Sequence, residues 1–167
     1  GYLACGDTGE GKMPEPEVLL SYILRELAHE KDMKGLKVCV TAGPTREMID
    51  PVRFISNRST GKMGFALAKN AMERGADVTL VSGPVELKDV PFVKMVHVES
   101  ARQMFEAVTK EAETADIIVK AAAVADYRPA VVADEKIKKK DGDMSIALER
   151  TDDIIGTLGK TKRDNLF

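Results

Sequence analysis

The sequence predicts an α/β protein, a three-layer Rossmann-like fold with a mostly parallel sheet. Short runs rich in β-branched residues recur along the chain, and stretches with helical apolar periodicity separate them. Those stretches are long enough to serve as crossovers between parallel strands. The 167 residues are 44% hydrophobic and 31% charged, enough for a sizeable core and unlike a disordered or fibrous chain. With 25 Lys and Arg against 27 Asp and Glu, the net charge of -2 excludes whole-protein attraction to nucleic acid or an anionic membrane.

In chain order, residues 1–15 hold four glycines and a proline without apolar periodicity and read as loop. From Pro16, the residues Leu20, Ile23, Leu24 and Leu27 share one helical face, with Gly35 as the expected stop. The charged stretch HEKDMKG serves as a linker, which puts a domain boundary between residues 34 and 35. Leu36 to Ala42 predicts a strand buried on both faces. After a long loop, Gly61 to Arg74 predicts a helix whose inner face carries Gly64, Leu67, Ala68 and Ala71, with Gly75 as its cap. Strands follow at Asp77 to Ser82 and Phe92 to Val98. Ser100 and Gln103 then form a capping box for a helix with Ala101, Met104, Phe105 and Val108 inward. Asp116 to Ala122 predicts another buried strand.

Ligands of such sheets bind beyond the carboxyl ends of the strands, here the loops after Ala42, Ser82 and Ala122. The first loop closes with SNRSTGKMG, where Ser59, Thr60, Gly61 and Gly64 open a helix. Those residues suit an anion at a helix N-terminus, and equally an N-cap followed by a packing glycine. The segment is not a phosphate-binding P-loop, because Ser56 and Met63 stand where Gly and Ser or Thr are required. A dinucleotide fingerprint also fits poorly, since the second strand ends in Ser82, Gly83 and Pro84 without a ribose-binding acid. Beyond the last strand, Asp126 is placed to hold a magnesium ion carried by a nucleotide. Lys136, Lys138, Lys139 and Lys140 supply charge for a phosphate-bearing small molecule, or form a solvated face.

Taken together, TAGPTREMIDPVRFISNRSTGKMG, AAAVADYRP and DEKIKKK resemble the phosphopantothenate–cysteine ligase family of coenzyme A biosynthesis over roughly three quarters of the chain. LACGDTGEGKMPEP resembles the final segment of the phosphopantothenoylcysteine decarboxylase domain, which precedes the ligase in many bacterial fusions. The resemblance implies a decarboxylase tail and linker helix over residues 1–34 and a C-terminally incomplete ligase domain over 35–167. It implies activation of 4′-phosphopantothenate by CTP as an acyl-cytidylate, then attack by cysteine and release of CMP.

By the same resemblance, Asn57 contacts the acyl group, where an amide can donate to a developing oxyanion. Ser59 and Gly61 contribute substrate contacts. Lys120, Ala121 and Ala122 line the cytosine pocket, whose backbone groups read the base edge. Asp126 belongs to the CTP site, and Lys136 assists attack at the α-phosphate ahead of a mobile lysine flap. Asp152, Asp153, Ile154 and Ile155 align with a nucleotide-contacting stretch, although Thr151, Asp152 and Asp153 replace the family's usual Asn-Pro-Asp. Cys5 corresponds to the decarboxylase proton donor, while the FMN-binding part of that domain lies outside this chain.

Cys39 reads as a packing residue, and His29 and His97 as structural or solvated. Two cysteines, no apolar run near the ~18 residues of a membrane helix and no signal-peptide core lead to the expectation of a cytoplasmic protein. The expected partners are CTP, 4′-phosphopantothenate and cysteine, with neither nucleic acid nor membrane. A homodimer is expected, within a larger assembly when fused to the decarboxylase. An NAD(P)-linked Rossmann oxidoreductase and a non-catalytic nucleotide-binding fragment are the alternative readings.

Overall fold

The computed structural model describes residues 13–139, 141–161 and 166–167. In chain order its elements are α1 (Pro16–Leu27), β1 (Lys37–Ala42), β2 (Arg46–Met48), β3 (Phe54–Ser56), α2 (Lys62–Glu73), β4 (Asp77–Ser82), β5 (Lys94–His97), α3 (Ala101–Ala112), β6 (Ile117–Lys120), β7 (Tyr127–Pro129), β8 (Leu148–Arg150) and α4 (Ile154–Thr161). The central sheet has the order β5-β4-β1-β6, and every pairing in it is parallel. This is the expected α/β class.

Strand alternation divides the core into two layers. Val38, Val40, Ala42, Val78 and Leu80 face α2 through Phe65, Ala68, Ala71 and Met72. Cys39 and Val81 face the opposite way, toward Met104, Val108 and Ala112 of α3 and Ile154 and Leu158 of α4. α2 lies close on β1 because residue 64 has no side chain: a Cβ there would stand 2.5 Å from the Ala42 Cβ and 2.7 Å from the Thr41 carbonyl oxygen. Thus the packing reading of Gly64 is realised. Leu67, expected on that inner face, is 40% exposed instead.

The expected capping box of α3 is present: the Gln103 N–H donates to Ser100 Oγ, and the Ser100 N–H to Gln103 Oε1. Four other expectations need correction. First, α1 ends at Leu27 well before Gly35, and none of its residues is buried. It is held at its edge, by Tyr22 against the Phe92 ring and by Arg25 over the same ring at 4.8 Å. Gly35, at φ +87°, shapes the turn into β1.

Second, β6 is only half-buried, because it borders the sheet. Phe167 lies along its outer side, donating its N–H to the Asp116 carbonyl and accepting from the Ile118 N–H at 2.7 Å. Third, the long loops contain antiparallel pairs, β2 with β3 and β7 with β8. Fourth, α4 follows Asp153, where no helix was expected; Asp153 Oδ1 accepts from the Gly156 N–H at 3.0 Å in its first turn.

Candidate functional site

β1 is flanked by β4 on one side and β6 on the other, so the strand order reverses beside it. In open α/β sheets the crevice at such a reversal, beyond the carboxyl ends, is where ligands bind. Two buried threonines build its floor. Thr41 Oγ1 accepts the N–H groups of Ala121 and Ala122, each at 3.1 Å, and Thr45 Oγ1 accepts that of Ala125 at 3.0 Å. The Ala123 N–H donates to the Gly43 carbonyl, which fastens the loop after β6 to the loop after β1.

This arrangement revises how two groups can act. The Ala121 and Ala122 N–H groups are occupied within the protein, so they do not face a base edge as donors. Asn57, at the end of β3, donates its Nδ2 hydrogens to the Ala123 and Val124 carbonyls at 3.1 and 3.2 Å. Both partners are acceptors, which fixes the amide orientation. Its Nδ2 hydrogens, expected to donate to an oxyanion, are engaged within the protein, and Oδ1 is the acceptor that remains.

Lys120, Asp126, Asp152 and Asp153 share a cavity of about 390 Å³ with Tyr127 and Arg150. Thr151 closes its floor, its hydroxyl donating to the Ala125 carbonyl and its N–H to that of Asp126. Asp153 is engaged in capping α4. Ile154 departs from the expected contacting stretch: its side chain is buried with Met104 and Val108 because it lies on the inner face of α4, while Ile155 points outward. Ser59 Oγ faces the Gly61 N–H at 3.4 Å, and Gly61, at φ +75°, begins α2 without a side-chain cap. Lys136 lies elsewhere, lining a groove of about 1120 Å³ with Ile49, Arg53 and Lys138. Cys5 and Lys140 lie outside the described residues.

Among the described residues, no three His, Cys, Asp or Glu side chains gather to hold a metal. Asp126 and Asp152 present two exposed carboxylates, a donor set suited to an ion that arrives with phosphate oxygens rather than to a protein cage. His29 and His97 are exposed and stand 3.5 Å from Glu73 and 3.2 Å from Asp89. Burial, reinforced by the Glu111 charge, pushes the Cys39 thiol up to about 12, in keeping with a packing role. None of the helices among the described residues is long and apolar enough to cross a membrane.

Sequence reasoning missed two buried carboxylates in the first loop. Glu47 on β2 accepts the Ala101 N–H at the start of α3 at 2.8 Å. Asp50, fully buried at the tip of the β2–β3 hairpin, accepts from the Val52 and Arg53 N–H groups, the Arg53 guanidinium and the Ile137 N–H. The Arg53 guanidinium, helped by those N–H groups, holds the Asp50 carboxyl well below the usual carboxylate range despite burial. The spacing of Asp50 and Arg53 around Pro51 was the available signal for this turn.

Comparison with known proteins gives the geometry its context. The coenzyme A biosynthesis bifunctional protein CoaBC of Bacillus subtilis (strain 168) is 48% identical over 171 residues, spanning 100% of this chain and 42% of that protein. Its counterpart in Mycobacterium bovis is 52% identical over 161 residues, with 93% of this chain and 38% of that protein covered. The chain therefore spans about two fifths of the curated relatives it matches. The crystal structure of the C-terminal domain of a CoaBC protein superposes with a TM-score of 0.70 at 48% identity, covering 80% of this chain and 63% of that one. A mutant of Cab2 in complex with phosphopantothenate-cysteine shares the fold alone, at 16% identity and a TM-score of 0.67, over 93% of this chain and 70% of that one. The model of the DNA/pantothenate metabolism flavoprotein C-terminal domain matches residues 33–167, and the chain belongs to that family.

Proposed function

We propose that this chain carries the ligase part of a coenzyme A biosynthesis protein, joining 4′-phosphopantothenate to cysteine at the expense of CTP. The observation that carries the reading is the crevice beyond β6, where Lys120, Asp126 and Asp152 share one cavity and Asn57 is bonded to the Ala123 and Val124 carbonyls of the same loop, in a relative of CoaBC. In the proposed first step a carboxylate oxygen attacks the α-phosphorus of CTP, forming acyl-cytidylate and expelling pyrophosphate. Lys136, reaching from the groove it lines with Ile49 and Arg53, neutralises charge as the two anions approach. Magnesium held by Asp126 would screen the phosphate oxygens. Lys120 and the Ala121–Ala122 turn bound the base pocket, Asp152, Asp153 and Ile155 border the nucleotide, and Ile154 offers backbone alone.

In the second step the cysteine amine attacks the acyl carbon and CMP leaves. With both Nδ2 hydrogens engaged, Oδ1 of Asn57 is suited to accept an N–H of that amine, while Ser59 and Gly61 contribute substrate contacts. Residues 1–34, with Cys5, are assigned to the tail of a decarboxylase domain and its linker, and the FMN chemistry to that domain. A homodimer is proposed through the face bearing Val52, Phe54, Tyr127 and Leu148, which are exposed on the two hairpins.

The test is pyrophosphate release by the full-length protein, with CTP and ATP compared, each with and without 4′-phosphopantothenate. Release is expected only with CTP and the pantothenate substrate together. CTP cleavage without that substrate contradicts the reading, and saturable NADH binding without CTP binding favours an oxidoreductase. Lys136→Gln should slow pyrophosphate release, whereas Asn57→Asp should leave CTP binding intact and slow CMP release. Full activity in both variants removes these residues from the mechanism.

A further inference from the structure

Three contacts tie the lysine segment to the β2–β3 hairpin. The Ile137 N–H donates to Asp50 Oδ2 at 3.1 Å, the Ile137 carbonyl accepts from Arg53 Nη2 at 2.8 Å, and the Ala133 N–H donates to the Ile49 carbonyl at 3.0 Å. Both polar backbone groups of Ile137 are thus held by one ion pair, whose carboxylate is fully buried and whose guanidinium is half-buried, while Lys136 and Lys138 on either side are exposed. The hairpin is itself fixed at its base, where Glu47 accepts the Ala101 N–H and the Arg46 N–H donates to the Glu99 carbonyl. Its second strand leads directly to Asn57.

We infer that Asp50 is a positioning residue: through Ile137 it holds the backbone of Lys136 in fixed relation to Asn57. The inference rests on the ligase reading above. Asp50 touches no substrate; it acts as the buried acceptor on which the hairpin tip, the Arg53 guanidinium and the lysine segment converge. Besides these three contacts, the described residues of 130–147 are joined by the Ala130 to Ala147 backbone contact, and Asp50, which holds both the Arg53 guanidinium and the Ile137 N–H, sets where Lys136 stands.

The test uses the full-length protein and the variant Asp50→Asn, which keeps the size of the side chain and removes its charge. Hydrogen exchange in peptides covering 133–139 should rise about tenfold, the factor a charged hydrogen bond is worth, while peptides from β1 and β4 stay unchanged. Trypsin should cut faster after Lys138 and Lys139. The kcat for CTP-dependent pyrophosphate release should fall about 10- to 100-fold, with KM for CTP changing less than about threefold, as expected for a misplaced group. Unchanged exchange, a uniform rise across all peptides, or a released segment with wild-type kcat would each overturn the inference.

Should Asp50→Asn fail to fold, Ile137→Pro removes the donor and leaves the Asp50–Arg53 pair in place. It is expected to show the same faster cleavage and lower kcat, and wild-type cleavage in it overturns the tether. The exchange and cleavage measurements need no substrate, so a failed tether is visible in an active enzyme. Wild-type protein that releases no pyrophosphate overturns instead the ligase reading, and with it the link to catalysis.

Discussion

Thr41 is the residue whose loss should separate stability from site geometry. It is fully buried, and its Oγ1 accepts both the Ala121 and Ala122 N–H groups at 3.1 Å. Thr41→Val keeps the shape and removes the acceptor. A buried donor left without a partner costs about 1–3 kcal/mol. The two alanines are half-buried, so water recovers part of the loss, and about 2 kcal/mol in total is expected. Thr41→Ser keeps the acceptor and deletes one buried methyl, about 1 kcal/mol. The order of stability should therefore be wild type, Ser, Val, measured as urea midpoints with an unchanged m-value. The Val variant alone should also weaken CTP binding, because the turn it releases borders the proposed base pocket. A Val variant as stable as the Ser variant, with unaltered CTP affinity, would refute the reasoning.

Two glycines in helices provide a second contrast. Gly159→Ala in α4 meets nothing within 4 Å and should stabilise by up to about 1 kcal/mol, whereas Gly64→Ala collides with the β1 backbone and should destabilise by about 1–3 kcal/mol. Equal midpoints for the two in urea would show that α2 does not depend on this close approach. Acid titration of stability supplies a third. Asp50 is held low by the Arg53 guanidinium; Glu111 is held low as well, its burial being outweighed by the Lys94 and Thr79 hydrogen bonds. A depressed folded pKa gives stability that is present above the unfolded value near 4 and lost as pH falls through the folded one. Urea midpoints should thus drop below about pH 4, and less steeply in Asp50→Asn, which is already weaker at pH 7. An identical slope in that variant would contradict the assignment.

The elements legible from sequence were those whose apolar pattern is set by burial on a sheet face. β1, β4 and the capping box of α3 emerged close to their observed positions, since short runs rich in Val and Thr and a Ser with a Gln three residues on leave few other structures open. The β2–β3 hairpin was invisible for the opposite reason. Its inward residue is Glu47, satisfied by a backbone N–H more than fifty residues away, and its tip is organised by the buried Asp50 rather than by a glycine turn. α4 was missed because it has only two buried apolar residues, Ile154 and Leu158, too few for a periodic signal.

The orientation of the expected site residues was not legible in the sequence. Lys120, Asp126, Asp152 and Asp153 do share one cavity. What sequence could not give was which atoms remain available once the loops are tied together. Thr41 consumes two N–H groups, Asn57 turns its donors inward, and the side chain of Ile154 enters the core. The first two depend on long-range contacts between β1, β3 and the loop after β6, and the third on packing against α3, none of which a local pattern encodes.

The central claim is that a carboxylate oxygen becomes bonded to the α-phosphorus of CTP before the amide forms. The most direct measurement supplies the full-length protein with 4′-phosphopantothenate carrying oxygen-18 in its carboxylate, together with CTP and cysteine, and weighs the CMP produced. CMP bearing a single oxygen-18 atom is the predicted result. CMP without the label, formed alongside the amide product, would contradict the acyl-cytidylate route.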